Sequence, residues 1–357
     1  MQRKNYNVIG VMSGTSLDGI DFAHIDITLK PTYSAVIRVA ETVPYPDIWM
    51  QKLQNAVHNT ADELVHINKE YTQYLGEAIH TFIEKNTIDK ATIDAICSHG
   101  HTIIHQPDDG YTLQIGNLPE IAQITKCKVV CDFRVQDVTM GGQGAPLVPI
   151  GDQLLFSEYD YCLNLGGFAN VSTQKDDQRI AYDICAVNTV LNVYAQKLGV
   201  AYDDEGAFAK AGTIHQPLLK ELNALSFFKK SPPKSLGIEW VHQEIFPLIE
   251  TYDLDPQDVL ATCTEHIALQ LANQFAENSS VLITGGGVYN TFLIESVRRI
   301  KNIHVIIPSP DLVEFKEALV FGLLGVLRLE GENNCLASVT GAHKNHSSGV
   351  VYEYKRM

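Results

Sequence analysis

The chain has 357 residues, 45% of them hydrophobic, and its 27 basic and 42 acidic side chains leave a formal net charge of −15. That length suits two ordinary domains with real cores, and an acidic chain without a Lys/Arg-rich run argues against a nucleic-acid surface. The seven cysteines, Cys97, Cys127, Cys131, Cys162, Cys185, Cys263 and Cys335, are scattered through apolar segments, as reduced thiols are, no apolar run approaches a membrane span, and MQRKNYN carries no signal-peptide core, so a cytoplasmic protein is expected.

The chain opens with a strand to Met12 and a second over 20–29, where Ala23, Ile25, Ile27 and Leu29 alternate with His24, Asp26 and Thr28, the period of a half-buried strand. The turn between them is polar: Gly14 and Gly19, the hydroxyls of Ser13, Thr15 and Ser16, and the carboxylate of Asp18. Backbone N–H groups in a glycine turn form an anion nest, and a carboxylate beside phosphates serves to hold Mg²⁺. These six residues are expected to grip a phosphate tail, with Asp18 holding Mg²⁺ through water. The plainer alternative is an ordinary hairpin with a Ser/Thr/Gly-rich turn.

A third strand is expected over 34–42, helices over 47–57 and 62–83, and a short strand over 92–97 ending in SHGHT. Further strands cover 112–115 and 128–133, with a helix start over 119–125 between them. The loop TMGGQGAPLVP and a helix over 150–156 follow. The second half repeats the order. Strands over 161–165, 169–173 and 179–184 surround a turn at Gly166 and Gly167. Helices follow over 188–198, around Leu218 and over 261–276. A strand over 281–283 ends in TGGG, a helix covers 291–300, a strand 304–307, and a helix 314–328; residues 333–346 read as polar loop. The repeated architecture predicts two related α/β lobes, 1–156 and 157–357, with a cleft between them and with the last helix able to pack on the first lobe. Pockets favour such junctions.

The second glycine turn, with Gly166, Gly167 and Asn170, is expected to face the first and clamp a phosphate chain. The third element, Gly285, Gly286 and Gly287 with Asn290, lies at a strand end before a helix, where glycine permits close backbone approach to a charged group. Tight packing explains many such runs equally well.

These segments together resemble a known family, the anhydro-N-acetylmuramic acid kinases of the sugar kinase/Hsp70/actin superfamily. The resemblance rests on GVMSGTSLDGID, SHGHTIIHQP, LQIG, DFRVQDVTMGGQGAPLVP, LNLGGFAN, PPKSLG, TGGGVYN and KEALVFG, in the family's order over nearly the whole chain. It implies two ribonuclease-H-like, actin-like lobes and an enzyme of peptidoglycan recycling that uses ATP and Mg²⁺. Water would open the anhydro bridge of 1,6-anhydro-N-acetylmuramic acid at the anomeric carbon. The bridging oxygen would take the γ-phosphoryl group, giving N-acetylmuramic acid 6-phosphate. The family's catalytic base is an aspartate ending the third strand of the second lobe, a place held here by Asp183. Members are often homodimers, and no interface can be read from the sequence.

Two departures stand out. The family's Thr-Gly-Pro-Gly-Asn after the aspartate is here Ile184, Cys185, Ala186, Val187 and Asn188, and its SHGQT is SHGHT, with His101 in place of glutamine. Substrate contacts are expected from His99, His101, Thr102, Gln114, Arg134 and Glu317. Arg134 suits a carboxylate, which a guanidinium grips bidentately; its alternative is a structural pair with Asp132 or Asp137. Glu317 sits on an otherwise apolar helix and is expected to line the cleft, since a charge there needs a partner. Asp203, Asp204 and Glu205 read as a solvated helix start, with the alternative that the first two face the nucleotide. Two rival readings follow: a non-catalytic actin-like nucleotide-binding protein in which the altered loop ended transfer, and a metallohydrolase using His99, His101 and His105.

Overall fold

The computed structural model describes residues 4–355. The chain divides into two compact units: one takes residues up to Leu155 together with those from Phe315 onward, the other Phe156–Glu314.

The first unit is built on strands β1 (Lys4–Ser13), β2 (Ile20–Leu29), β3 (Ser34–Val43), β4 (Ala95–Gln106), β5 (Tyr111–Ile115) and β6 (Val129–Cys131). β1, β2 and β3 form an antiparallel meander. β4 and β6 add in parallel on the other side of β1, giving the order β3-β2-β1-β4-β6. The second unit has β7 (Tyr161–Leu165), β8 (Phe168–Lys175), β9 (Gln178–Ala186), β10 (Ser280–Thr284) and β11 (His304–Ile306). Its order, β9-β8-β7-β10-β11, repeats the same plan: an antiparallel meander, then two parallel strands. Each unit is thus ribonuclease-H-like, and the chain is an α/β protein with this topology twice. β12 (Val350–Tyr352) returns to pair antiparallel with β6.

β1 is the middle of the first sheet, which is why Val8, Ile9 and Val11 are buried in succession. One face packs on the helix Ala61–Lys85 through Tyr71, Leu75, Ile79 and Phe82, with Ile9, Val11, Phe22 and Ile96 beneath them. A capping box between Thr60 and Glu63 starts that helix. The opposite face receives the helix Pro310–Leu329. A Cβ on Gly10 would lie 1.9 Å from the Ala318 carbonyl oxygen, and one on Gly325 2.2 Å from Cys97 Sγ, so close packing requires both glycines.

That packing bears on the expected division at 156/157. The segment from Phe315 onward belongs with the first unit, and the helix carrying it departs from helical geometry at Phe315 (φ −109°, ψ 17°). Two local expectations also differ. The strand expected over 92–97 is Ala95–Gln106, because β5 pairs with its second half and draws SHGHTIIHQ into the sheet. Residues 333–346 are loop apart from the short helix Ala337–Thr340, but the loop is partly buried. Asn334, Cys335, Thr340 and His346 are buried, and Cys335 and His346 pair as a β-bridge.

Candidate active site

In the first unit the turn at 14–19 stands open at Thr15, Ser16 and Asp18, all exposed. Ser16 Oγ donates to Asp18 Oδ1 at 2.7 Å, and Leu17 takes a positive φ of 61° to close the turn. Gly19 is a glycine for packing, since a Cβ would sit 2.6 Å from the Val43 carbonyl oxygen. Ser16 thus spends its one hydroxyl proton on Asp18, and the exposed Thr15 supplies the turn's other hydroxyl.

Ser13 differs from the expectation of a phosphate donor. It is 2% exposed, and its Oγ is committed to Tyr45 Oη at 2.6 Å and His101 Nδ1 at 2.7 Å. Tyr45 in turn hydrogen-bonds Tyr71. Sequence reasoning missed both tyrosines, because nothing local links them to Ser13.

His99 and His101 are both buried. Arg134 Nε donates to His99 Nε2 at 2.8 Å. An accepting Nε2 leaves the proton of a neutral imidazole on Nδ1, which lies 3.3 Å from the Ser13 carbonyl oxygen. Burial, then the neighbouring Arg134 charge, hold His99 well below the ordinary histidine range. Burial lowers His101 to about 4. Arg134 also donates from Nη1 to the Gly144 carbonyl at 2.7 Å, so its partners are neither Asp132 nor Asp137. Asp137 instead braces the glycine loop, accepting from Gly144 N at 2.7 Å and Thr340 Oγ1 at 2.8 Å.

Gln114 donates to Thr112 Oγ1 at 2.8 Å and Thr102 Oγ1 at 3.4 Å. Its Oε1 is buried without a partner, an acceptor left for a ligand donor. Glu317 is exposed, yet the surrounding protein raises its carboxyl pKa, with Arg134 and Lys316 pulling the other way. The neighbouring Lys316 is buried and pairs with buried Asp152 at 2.7 Å. Among the described residues His99, His101 and His105 do not bring three ligand atoms together; His105 bonds Thr112 Oγ1 at 3.0 Å instead.

In the second unit Asp183 is half-buried on β9, opposite Asn170 on β8. The segment 234–236 clamps it from the side. Asp183 N donates to the Lys234 carbonyl at 3.0 Å, and Leu236 N donates to Asp183 Oδ2 at 2.8 Å. Burial raises the carboxyl pKa, and the Leu236 bond lowers it in part. Lys234 lies with Nζ 4.6 Å from the Phe227 ring centre. PPKSLG carried this clamp in the sequence, but its position gives no hint that it reaches Asp183.

The Ile-Cys-Ala-Val departure fills the core: Ile184, Cys185 and Val187 are all 0% exposed. Beyond them the first N–H groups of the helix Asn188–Lys197 are tied to the glycine turn. Val187 N and Thr189 N donate to the Gly167 carbonyl at 2.8 and 3.2 Å, and Asn188 N to the Gly166 carbonyl at 3.3 Å. Gly166 N donates to the Phe168 carbonyl, while Gly167 and Asn170 are exposed.

The three glycines of TGGG separate. Gly285 has φ 84°, and a Cβ there would meet Asn164 Oδ1 at 2.6 Å; one on Gly287 would meet Leu165 at 2.9 Å. Both serve packing against β7. Gly286 has nothing within 4 Å of a built Cβ and is exposed, so it alone offers an open backbone. Asn290 is 9% exposed, and its Oδ1 caps the helix Thr291–Ile300 by accepting from Leu293 N at 3.0 Å. Asp203 is buried, not solvated, and caps Phe208 N and Ala209 N at 2.8 and 2.9 Å.

No described helix is long and apolar enough to cross a membrane. Among solved structures, the chain is similar to the activator of the 2-hydroxyisocaproyl-CoA dehydratase from Clostridium difficile with bound ADPNP, at 14% identity and a TM-score of 0.44 over 89% of this chain and 94% of that one. Relatives named anhydro-N-acetylmuramic acid kinase are similar end to end. That of Pseudomonas savastanoi pv. phaseolicola is 34% identical over 96% of this chain and 98% of its own. That of Acinetobacter baylyi is 33% identical over 94% and 96%, and that of Sulfurovum sp. 32% identical over 99% and 100%. The sequence profile of the anhydro-N-acetylmuramic acid kinases matches residues 6–354, and the chain belongs to that family.

Proposed function

We propose that the chain converts 1,6-anhydro-N-acetylmuramic acid, ATP and water into N-acetylmuramic acid 6-phosphate and ADP, in peptidoglycan recycling in the cytoplasm. Water attacks the anomeric carbon and the bond from that carbon to the bridging oxygen breaks. The released oxygen attacks the γ-phosphorus, and ADP departs. Asp183 takes the proton of the attacking water. Its Leu236 hydrogen bond fixes Oδ2, leaving Oδ1 for the water, and its burial-raised pKa moves it toward the range a general base needs.

In the first unit, Arg134 is the group for the lactyl carboxylate. Its Nε and Nη1 bonds to His99 and Gly144 hold the guanidinium plane in place. His99, His101, Thr102, Gln114 and Glu317 are the sugar-facing set, with the unpartnered Gln114 Oε1 accepting from a substrate N–H or O–H. For the phosphates, the backbone of Gly14, Gly167 and Gly286 and the hydroxyl of Thr15 are the donors, while Ser16 spends its hydroxyl proton on Asp18. Ser13, Gly19, Gly166, Gly285, Gly287 and Asn290 support these turns. Asp18, exposed and oriented by Ser16, fits Mg²⁺ held largely by water and phosphate oxygens. The ion supplies charge neutralisation to the transferred phosphoryl group.

The Asp183 clamp is the observation that carries the reading. Its test is ADP release with and without the anhydro sugar, in the wild type and Asp183→Asn. Sugar-dependent release that collapses in the variant while ATP still binds supports it; equal release in both proteins overturns the assignment of the base.

A further inference from the structure

A buried cluster lies behind the GGQG loop, outside the groups used above for chemistry. Asp137, Cys335 and His346 are 0%, 2% and 5% exposed, and one ligand atom from each lies within 4.8 Å of the others. Their backbones are fixed. Cys335 and His346 exchange backbone hydrogen bonds at 3.1 and 3.3 Å, and Asp137 is held through both oxygens by Thr340 and Gly144.

The histidine's proton can be placed. His346 Nδ1 lies 3.1 Å from the Lys344 carbonyl oxygen. A carbonyl only accepts, so Nδ1 carries the proton. Nε2 is then aimed, buried and without a hydrogen-bond partner, at Asp137 Oδ1 3.5 Å away. If the imidazole is neutral, these are two acceptors facing each other in a dry interior, an arrangement that needs a cation between them, a proton or a metal ion. A histidine that donates Nδ1–H to a backbone carbonyl and presents Nε2 is also how proteins orient an imidazole toward a metal.

We propose that Asp137 Oδ1, Cys335 Sγ and His346 Nε2 bind one divalent transition-metal ion of the zinc class. One imidazole nitrogen, one thiolate and one carboxylate oxygen form a donor set that suits Zn²⁺, with a fourth position for water. On binding, the Cys335 thiol proton leaves to solvent, and the thiolate and carboxylate balance the ion's two charges. The Thr340 and Gly144 hydrogen bonds to Asp137 become the outer support. The site fastens residues 335–346 to the loop whose Gly144 carbonyl holds Arg134, so its role is structural.

The test uses the full chain purified without chelator. Elemental analysis should find about one zinc per chain. Replacement by Co²⁺ should give a sulfur-to-cobalt charge-transfer band in the near ultraviolet that added Zn²⁺ abolishes. Cys335→Ser should lose the band, and His346→Gln should weaken Co²⁺ binding more than about tenfold. The wild-type spectrum keeps the test decisive if either variant folds poorly. Neither retained metal nor a Co²⁺ band in the wild type would overturn the proposal, leaving an imidazolium–carboxylate pair between His346 and Asp137. A band that persists in folded Cys335→Ser would overturn it equally.

Discussion

Arg134 Nε donates to His99 Nε2 at 2.8 Å, so a neutral, buried imidazole is the support on which the guanidinium rests. Charge-assisted hydrogen bonds are the stronger ones, about 1.5–3 kcal/mol each. Arg134→Lys would lose the fork that reaches His99 and Gly144 together. Steady-state kinetics should show a rise in KM for the anhydro sugar of roughly ten- to a hundredfold, with KM for ATP little changed. An unchanged sugar KM would remove Arg134 from substrate binding.

Acid should destabilise the fold through its buried histidines. His101 lies at about 4 and His266 at about 3, both lowered from 6.5 by burial. The unfolded chain therefore takes up these protons first as pH falls below about 6.5. Their contribution is fully present above that pH. It is lost down to about 4 for His101 and about 3 for His266, at about 1.4 kcal/mol per histidine per pH unit. Thermal unfolding at pH 7 and pH 5 should show the fall, and His101→Gln should make it shallower. An identical pH slope in that variant would place the acid sensitivity elsewhere.

The glycines of TGGG should separate by substitution. Gly285→Ala meets a positive φ of 84° and Asn164 Oδ1 at 2.6 Å, and should lower stability by about 1–3 kcal/mol. Gly286→Ala has open space and should leave Tm unchanged while weakening ATP binding. If Gly286→Ala binds ATP as the wild type does, Gly286 does not approach the phosphates.

Asp18→Asn removes a carboxylate from an exposed turn, so the fold should be unaffected. The Mg²⁺ concentration giving half-maximal turnover should rise about tenfold or more. A normal Mg²⁺ dependence would take the ion off Asp18.

Much of the fold was legible because the first strands are periodic. β2 alternates, β1 is a continuous apolar run beside a glycine turn, and the same order recurs from Tyr161. What was hidden depends on contacts distant in sequence. Gly10 looks like any strand glycine until the Ala318 carbonyl is seen above it, a contact by which the helix Pro310–Leu329 packs on the first sheet. Ser13 reads as a loop donor, yet Tyr45 and His101 claim its hydroxyl. Asn290 reads as a ligand in TGGGVYN, whereas its side-chain Oδ1 caps a helix by accepting from Leu293 N. Asp183 stands out only through resemblance to a family motif, and the Leu236 N–H that holds it comes from 53 residues further along the chain, beyond any local pattern.

The most direct test of the central claim is one turnover experiment in heavy-oxygen water, with MgATP and 1,6-anhydro-N-acetylmuramic acid, read by mass spectrometry of the isolated product. Attack of water on the anomeric carbon, with the bridging oxygen taking the phosphoryl group, predicts one heavy oxygen in the sugar and none in the phosphate ester, formed in step with ADP. Heavy oxygen in free phosphate with the sugar unchanged, or a phosphorylated sugar that carries none, would contradict it.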